Sequence, residues 1–215
     1  MQNWIGILVS YIFIFLMIIG GKLFEKIGKE ASRKFIHIML GNWWLIAMYF
    51  FNNVWFAAFV PLTFVIINYI SYKKDIIKVM EREEDKKDGL GTVYYACSLL
   101  ILVIITFGVL NKPILGLVPI FVMAFGDGLA AIFGKLIKSK KYKVYDTEKS
   151  IAGSLTMFIV SFIIISIYLV YINNPFWYLK GIIISLIITV LEAISIKGTD
   201  NITVPIATLI MLMFV

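Results

Sequence analysis

The sequence is poor in charged residues and nearly free of cysteine. The first shortage argues against a soluble domain, and the second excludes an internal disulfide. Charged residues make up 15% of the 215 residues and hydrophobic residues 61%, with a mean hydropathy of +0.94. A soluble domain of this size carries far more polar surface, so the composition indicates an integral membrane protein. The one cysteine, Cys97, excludes an internal disulfide. No basic segment precedes the first apolar run and no small-residue cleavage site follows it, which predicts a retained span rather than a signal peptide.

The apolar runs predict an all-α bundle of seven or eight transmembrane helices, forming one integral membrane domain over 1–215. A helix needs about 17–25 apolar residues to cross a bilayer. Runs of that length lie near 4–20, 35–51, 54–70, 92–110, 114–137, 151–172 and 181–196. A shorter run at 203–215 ends the sequence, and its length leaves open whether it spans fully.

Basic residues fall in alternate loops between these runs. Seventeen of the twenty lysines and arginines lie in the loops 21–34, 71–91 and 135–150. The positive-inside rule makes these loops cytoplasmic and places the N-terminus outside, with Lys197 in a short inner loop. Topology therefore explains the net charge of +7 without a nucleic-acid partner. The acidic and basic residues of 81–88 are typical of a solvated loop.

Two acids, Asp127 and Glu192, lie within predicted spans. No span interior holds a lysine or arginine to pair with them, and an embedded charge usually marks function. The predicted topology puts the conspicuous polar residues near the cytoplasmic leaflet: His37, Asp127, Lys149, Glu192, Asp200 and Asn201. On a straight helix Asp127 would lie roughly 12 Å below Lys135. A helix break at Gly126 and Gly128 would give access to it, as would a water-filled cavity, which we favour.

The segment around Asp127 predicts a site for a metal-bound polyphosphate. Ala130, Ala131 and Gly134 share the helical face of Asp127, and a lysine-rich loop follows and ends at Lys149. A carboxylate suits a metal, a small face permits close approach, and lysines attract phosphate. Other interpretations of these residues remain open. The same small face is equally typical of helix packing, and lysines before a span are expected from topology. The P-loop motif GxxxxGK[ST] is also absent.

These motifs resemble a known family. The segments GDGLAAIFG and KSIAG, joined by a basic loop, are similar to the CTP-dependent polyprenol kinases, which include dolichol kinase, phytol kinase and CTP-dependent diacylglycerol kinase. The family pattern is met by Asp127, Ala130, Gly134, Lys149, Ser150 and Gly153. RKFIH at 33–37, GTVYYA at 91–96 and LEAISIKGTDNITVP at 191–205 also resemble the family, in the expected order. Serine replaces the usual threonine at 150, and Glu148 and Ala152 depart from the pattern.

The resemblance implies transfer of the γ-phosphate of CTP to a polyprenol, dolichol or phytol-type alcohol, with Mg²⁺, at the cytoplasmic leaflet. It implies that Asp127 binds magnesium, and that Glu192 or Asp200 completes the metal site or accepts the alcohol proton. The nucleotide-binding residues it implies are Asp127, Ala130, Gly134, Lys149, Ser150, Gly153, Arg33 and Asn201. His37 is expected to position phosphate or substrate, although a lone histidine is also typical of a hydrogen bond between helices.

Two other functional classes remain open at this stage. A CTP:lipid cytidylyltransferase carries a similar aspartate and lysine element but usually ends in a Gly-Gly-x-x-Asp-Arg signature, which is absent after residue 180. Embedded acids also occur in small ion-coupled transporters. The gathering of polar groups at one leaflet, rather than along a path, argues against transport, and uncompensated acids argue against a pure scaffold.

Overall fold

The structure of the protein is a computed structural model that describes residues 1–74, 90–145, 147–196 and 198–215. Within these ranges, six helices are long and apolar enough to cross a membrane. This agrees with the predicted helical membrane class, whereas the count of seven or eight spans and their orientation stay predictions. The loop 81–88 and Lys197 lie outside the described residues.

Ten α-helices and one short hairpin make up the described regular structure, together with two π-helical segments. The helices are α1 (Gln2–Phe24), α2 (Lys29–Gly41), α3 (Trp43–Phe50), α4 (Val54–Lys74), α5 (Leu90–Val103), α6 (Pro113–Phe121), α7 (Gly128–Leu136), α8 (Ile151–Tyr171), α9 (Trp177–Ile194) and α10 (Asp200–Met213). The hairpin consists of β1 (Lys141–Val144) and β2 (Thr147–Ser150). The π segments are Ile104–Val109, which continues α5, and Val122–Asp127, which joins α6 to α7.

The helices group into two compact units, Met1–Leu117 and Val118–Val215. In the first unit, α1 packs on α2, α3 and α4, and α4 packs on α5. Its core is rich in aromatic side chains: Trp43 and Trp44 are fully buried and meet edge to face. The Trp44 Nε1–H donates to the Pro113 carbonyl at 3.0 Å, which satisfies the polar end of a large buried ring. The prediction of one domain over 1–215 is not tested by this grouping.

The apolar run predicted at 35–51 consists of two helices rather than one continuous span. α2 ends at Gly41, and α3 begins at Trp43. Asn42 between them keeps a helical backbone, and its side-chain amide donates to the Met39 carbonyl at 3.2 Å. Asparagine competes for backbone hydrogen bonds in this way, which is why it often interrupts a helix. α2 also begins in the basic loop, six residues before the predicted start.

In the second unit, α8 packs on both α7 and α9, and α9 packs on α10. The π segment Val122–Asp127 packs on α8 and α10. The lysine-rich loop that precedes α8 contains the antiparallel hairpin, a local departure from the all-α prediction. Its turn includes Tyr145 with a φ of 51°, and β2 leads directly into α8. The final helix has 14 residues, so whether it spans the membrane is not decided by its length.

Candidate metal and phosphate site

Three carboxylates converge within the second unit, from three different helical segments. Asp127, Glu192 and Asp200 each offer a carboxylate oxygen, and these oxygens all lie within 4.8 Å of one another. Glu192 is 4% exposed and Asp127 9%. Because a buried carboxylate is costly without a positive partner, this cluster requires a cation close by.

Local structure explains how each acid reaches the cluster. Asp127 is the last residue of the π segment, and π-helical turns are often found at functional sites. Glu192 lies in the last turn of α9, and Asp200 is the first residue of α10. The connection between these helices is short, with Gly198 at a φ of 80° that favours glycine. The chain therefore reverses at once and brings Asp200 back to Glu192.

The helix carrying Asp127 is continuous, so the alternative of a break at the flanking glycines is wrong. Pro113–Leu136 forms one helix of 24 residues, and Gly128 has a φ of −57° and a ψ of −52°. Gly126 instead permits close packing, because a Cβ there would lie 2.7 Å from the Met157 sulfur in α8. Asp127 therefore lies within a continuous helix and not at the end of a half-helix. It meets the other two acids because neighbouring helices pack close to it.

Lys149 supplies a positive charge to the cluster. Its ammonium forms an ion pair with the Glu192 carboxylate and also donates to the Glu192 carbonyl oxygen at 3.3 Å. Burial lowers the pKa of Lys149, but Glu192, with smaller contributions from Asp200 and Asp127, outweighs burial and leaves the pKa above its ordinary value. Lys149 is therefore charged at neutral pH. It was predicted to contact phosphate, and here it lies beside the acids predicted to bind metal.

The charge of the cluster fits a divalent cation. Counted among themselves, the three carboxylates and the Lys149 ammonium carry a net charge of −2 when all are ionised. Carboxylate oxygens are the ligands that Mg²⁺ prefers, and Mg²⁺ commonly takes one or two of them together with phosphate and water. Asp127, Glu192 and Asp200 thus form a donor set with the chemistry expected for magnesium. Their predicted role as metal ligands remains a prediction.

The small residues of the motif pack two helices together. A Cβ at Gly134 would lie 3.3 Å from the Gly153 Cα, and one at Gly153 would lie 3.0 Å from the Ala130 carbonyl oxygen. α7 and α8 therefore approach at backbone contact, as small residues permit in membrane helices. This packing explains why Ala130, Gly134 and Gly153 are small, and their contact with nucleotide stays a prediction.

Ser150 caps α8, and the first N–H groups of that helix already have protein acceptors. The Ser150 hydroxyl oxygen accepts from Gly153 N–H at 3.1 Å, and the hydroxyl lies 3.2 Å from the Gly134 carbonyl, to which it donates. Ile151 N–H donates to the Lys140 carbonyl at 3.0 Å, and Ala152 N–H donates to the Ser139 hydroxyl oxygen at 3.1 Å. A capped N-terminus does not offer the free amides of a phosphate-binding helix. Ser150 thus has a structural role in addition to its predicted nucleotide contact.

The remaining predicted residues fall in both units. Asn201 follows Asp200 in α10 and is 8% exposed, and its N–H donates to the Asp200 carboxylate at 2.9 Å.

Arg33 and His37 lie on α2 of the first unit. Arg33 forms a bidentate ion pair with Glu30, at 2.7 and 3.0 Å. The His37 ring meets Tyr95 edge to face, with ring centroids 4.9 Å apart, and the Tyr95 hydroxyl donates to the His37 carbonyl. Their predicted roles remain predictions.

The hairpin contributes a residue that motif reasoning missed. Tyr142 pairs directly with Lys149 across the two strands, and its hydroxyl shares a hydrogen bond with the Ser154 hydroxyl in α8. The alternation in Lys141–Val144, where lysine alternates with tyrosine and valine, is a weak strand signal that the dense lysines of the loop obscured.

Known proteins that resemble the chain identify its family. A phytol kinase from Synechocystis sp. is 30% identical over 211 residues, which cover 95% of this chain and 89% of that protein. The chain belongs to the phytol kinase family. Phytol kinase 1 of Arabidopsis thaliana is 34% identical over 205 residues, covering 86% of this chain and 66% of the plant protein. The probable phytol kinase 1 of Glycine max is 32% identical, with the chain again covering 66% of the relative. No family model and no solved structure matches the chain.

Membership in the phytol kinase family confirms the family resemblance inferred from GDGLAAIFG and KSIAG. The matched region covers most of the chain, including both compact units, so the family assignment does not depend on the acidic motif alone. The chain spans about two thirds of the length of the plant relatives, 66% in the case of Arabidopsis thaliana.

The buried ion pair predicts a clear effect of removing Lys149. Lys149→Met leaves Glu192, whose side chain is 5% exposed, without its ammonium partner. We expect the free energy of unfolding to fall by about 1–3 kcal/mol in metal-free protein, less than for a fully buried pair because Lys149 keeps some contact with solvent. A second change, Glu192→Gln, should recover most of that loss. Thermal unfolding in detergent measures both effects.

Lys141→Met provides the matched control. Lys141 pairs with Glu148 at 2.8 Å, but both side chains are more than 60% exposed (63% and 62%). Removing an exposed pair should therefore have little effect on stability. Equal losses of unfolding free energy for Lys149→Met and Lys141→Met would contradict a buried pair.

The stability of the protein should also depend on pH through Lys149. The pKa of Lys149 in the folded protein lies above the ordinary value of 10.5. The stabilisation that its charge gives to the folded state is therefore complete below pH 10.5 and is lost as the pH rises through the folded-state pKa.

Proposed function

We propose that this chain is a kinase that transfers the γ-phosphate of CTP to the hydroxyl of an isoprenoid alcohol of the phytol type. The main support is the convergence of Asp127, Glu192 and Asp200 with Lys149, in a chain whose described residues include six helices of membrane-spanning length. The phytol kinases that the chain resembles support the choice of a lipid alcohol. The choice of CTP rests on the resemblance of the motif to the CTP-dependent polyprenol kinases.

The role that we propose for each residue follows from its charge. Asp127, together with Glu192 or Asp200, would hold Mg²⁺, which when bound neutralises phosphate charge and aligns the transferred group. Lys149 would release Glu192 and contact a phosphate oxygen, since an ammonium pairs equally well with phosphate. Glu192 or Asp200 would accept the proton of the alcohol as its oxygen bonds to the γ-phosphorus and the bond to CDP breaks.

A membrane-embedded site also suits the substrate. A long isoprenoid chain partitions into the bilayer, so its hydroxyl lies near the interface and a water-soluble nucleotide approaches it from the aqueous side. We propose that this side is cytoplasmic, because seventeen of the twenty basic residues lie in three alternate loops. This topology requires that α2 and α3 together cross the membrane, and it gives eight spans if α10 also crosses.

Labelled nucleotide tests the reaction. Purified protein receives CTP labelled at either the α- or the γ-phosphate, with phytol, longer polyprenols or phosphatidate as acceptor. We expect label from the γ-phosphate in the lipid product and CDP as the other product. Transfer of the α-label with release of pyrophosphate would instead indicate a cytidylyltransferase and would contradict the kinase. Parallel reactions with ATP and GTP test the nucleotide, because equal rates would remove the assignment to CTP.

Asp127→Asn tests the metal site. The change keeps the size of the side chain but removes a negative charge, so it should weaken binding of a divalent cation at least ten-fold and abolish Mg²⁺-dependent turnover. Binding of Mn²⁺, followed by electron paramagnetic resonance without substrate, measures the first effect. Glu148→Gln is the control, because Glu148 is an exposed acid paired with Lys141 outside the cluster. Normal Mn²⁺ affinity in Asp127→Asn would contradict the assignment.

Single-cysteine labelling tests the orientation. In a variant with Cys97 replaced, a cysteine at exposed Gln2 should react with a membrane-impermeant maleimide from outside intact cells. A cysteine at exposed Lys143 should react only after the membrane is opened. The reverse pattern, or labelling of both positions from outside, would contradict the proposed topology.

A further inference from the structure

We propose that Tyr142 and Ser154 are positioning residues for Lys149, fixing the hairpin on α8 so that the ammonium is held at the carboxylate cluster. The inference rests on the proposed function in so far as Lys149 serves phosphoryl transfer, but its structural part stands on the contacts alone. Neither residue belongs to the motif, and neither is assigned a role by the family resemblance.

The strand register places Tyr142 beside Lys149. The paired residues are Lys141 with Ser150, Tyr142 with Lys149, Lys143 with Glu148, and Val144 with Thr147. Directly opposed residues project from the same face of an antiparallel pair, so Tyr142 and Lys149 share one face. Lys141 and Lys143 alternate onto the other face and are exposed. One face of the hairpin therefore carries lysines toward solvent, while the other carries Tyr142 and the lysine of the site.

A hydrogen bond connects this inner face to α8. The hydroxyl groups of Tyr142 and Ser154 are bonded to each other, and both residues are partly buried. Ser154 lies four residues after the helix cap Ser150, so it is on the first full turn of a helix that packs against α7 and α9. Lys140, next to the start of β1, already accepts through its carbonyl from the Ile151 N–H of α8. The Tyr142–Ser154 bond attaches the strand itself to the helix, farther along both elements.

Such an attachment matters because the hairpin is short. Two strands of four residues each do not form a stable structure in water without packing against something else. Lysine also has a long, flexible side chain, so its ammonium is placed only as well as its backbone is fixed. If β1 leaves α8, β2 loses its partner and Lys149 loses the ordered backbone that directs it to Glu192. The tyrosine hydroxyl therefore acts on the site through Lys149 without contacting the carboxylates.

Four variants test the proposal in the full-length protein. Tyr142→Phe and Ser154→Ala each remove one hydroxyl, whereas Ser154→Thr keeps it. Tyr145→Phe is the matched control, because Tyr145 lies in the same hairpin but is 71% exposed. We expect the KM for CTP to rise about five-fold in the first two variants, as for the loss of one hydrogen bond. Ser154→Thr and Tyr145→Phe should stay within two-fold of wild type, and all four should unfold within a few degrees of it.

A double-mutant cycle distinguishes positioning from a general structural role. If Tyr142 acts through Lys149, then Tyr142→Phe should change kcat/KM about five-fold in the wild type but less than two-fold in the Lys149→Met background. Equal effects in both backgrounds would overturn the proposal, because they would show that Tyr142 supports the site by another route.

Chemical labelling provides a readout that is independent of activity. Isotopic reductive methylation, followed by mass spectrometry of peptides, reports how readily each lysine reacts in the protein without nucleotide. In Tyr142→Phe we expect Lys149 to react at least three-fold faster than in wild type, while Lys141 and Lys143 keep their rates. Unchanged reactivity of Lys149 would overturn the proposal. If the wild-type protein transfers no label from CTP, the proposed function fails, yet this labelling result still decides whether Tyr142 positions Lys149.

Discussion

The charge held by Asp127, Glu192 and Asp200 is the constraint on which the second unit depends. Carboxylates that lie within 4.8 Å of one another repel, and burial of Glu192 and Asp127 strengthens the repulsion. The three acids come from a π-helical segment, the end of α9 and the start of α10, so the packing of these helices and a nearby positive charge must together outweigh the repulsion. A cation close to the acids therefore stabilises the folded structure as well as serving the proposed chemistry, and Lys149 supplies such a charge from the described part of the chain.

The packing that opposes this repulsion is made largely by small residues. Gly134 and Gly153 allow the backbones of α7 and α8 to touch, and Gly126 gives the Met157 side chain room beside Asp127. In a bilayer the hydrophobic effect does not press helices together, so close contact between small residues supplies much of the attraction. The same motif glycines that suggested nucleotide contact thus have a sufficient reason in helix packing alone.

Sequence reasoning predicted the membrane helices and the acids because both are strong signals. Runs of apolar residues show directly where helices can cross, and Asp127 and Glu192 stand out because a charge in such a run is costly. It did not predict the division of 35–51 at Asn42, since one polar residue in an apolar run leaves hydropathy almost unchanged. It also missed the hairpin, because strands of four residues with alternating lysines resemble a solvated loop. Sequence reasoning did not predict the ion pair between Lys149 and Glu192, because the two residues are 43 positions apart and meet only through tertiary packing.

The capped start of α8 has a consequence for how an anion is held. Ile151, Ala152 and Gly153 direct their amide groups to oxygen atoms of Lys140, Ser139 and Ser150, so no rigid cradle of backbone donors faces outward at that terminus. In the proposed mechanism, a phosphate would instead be bound by the Lys149 ammonium, which is carried on a flexible side chain. Glu192 and the phosphate would then compete for the same ammonium, so the affinity for the nucleotide would depend on the strength of the Lys149–Glu192 ion pair.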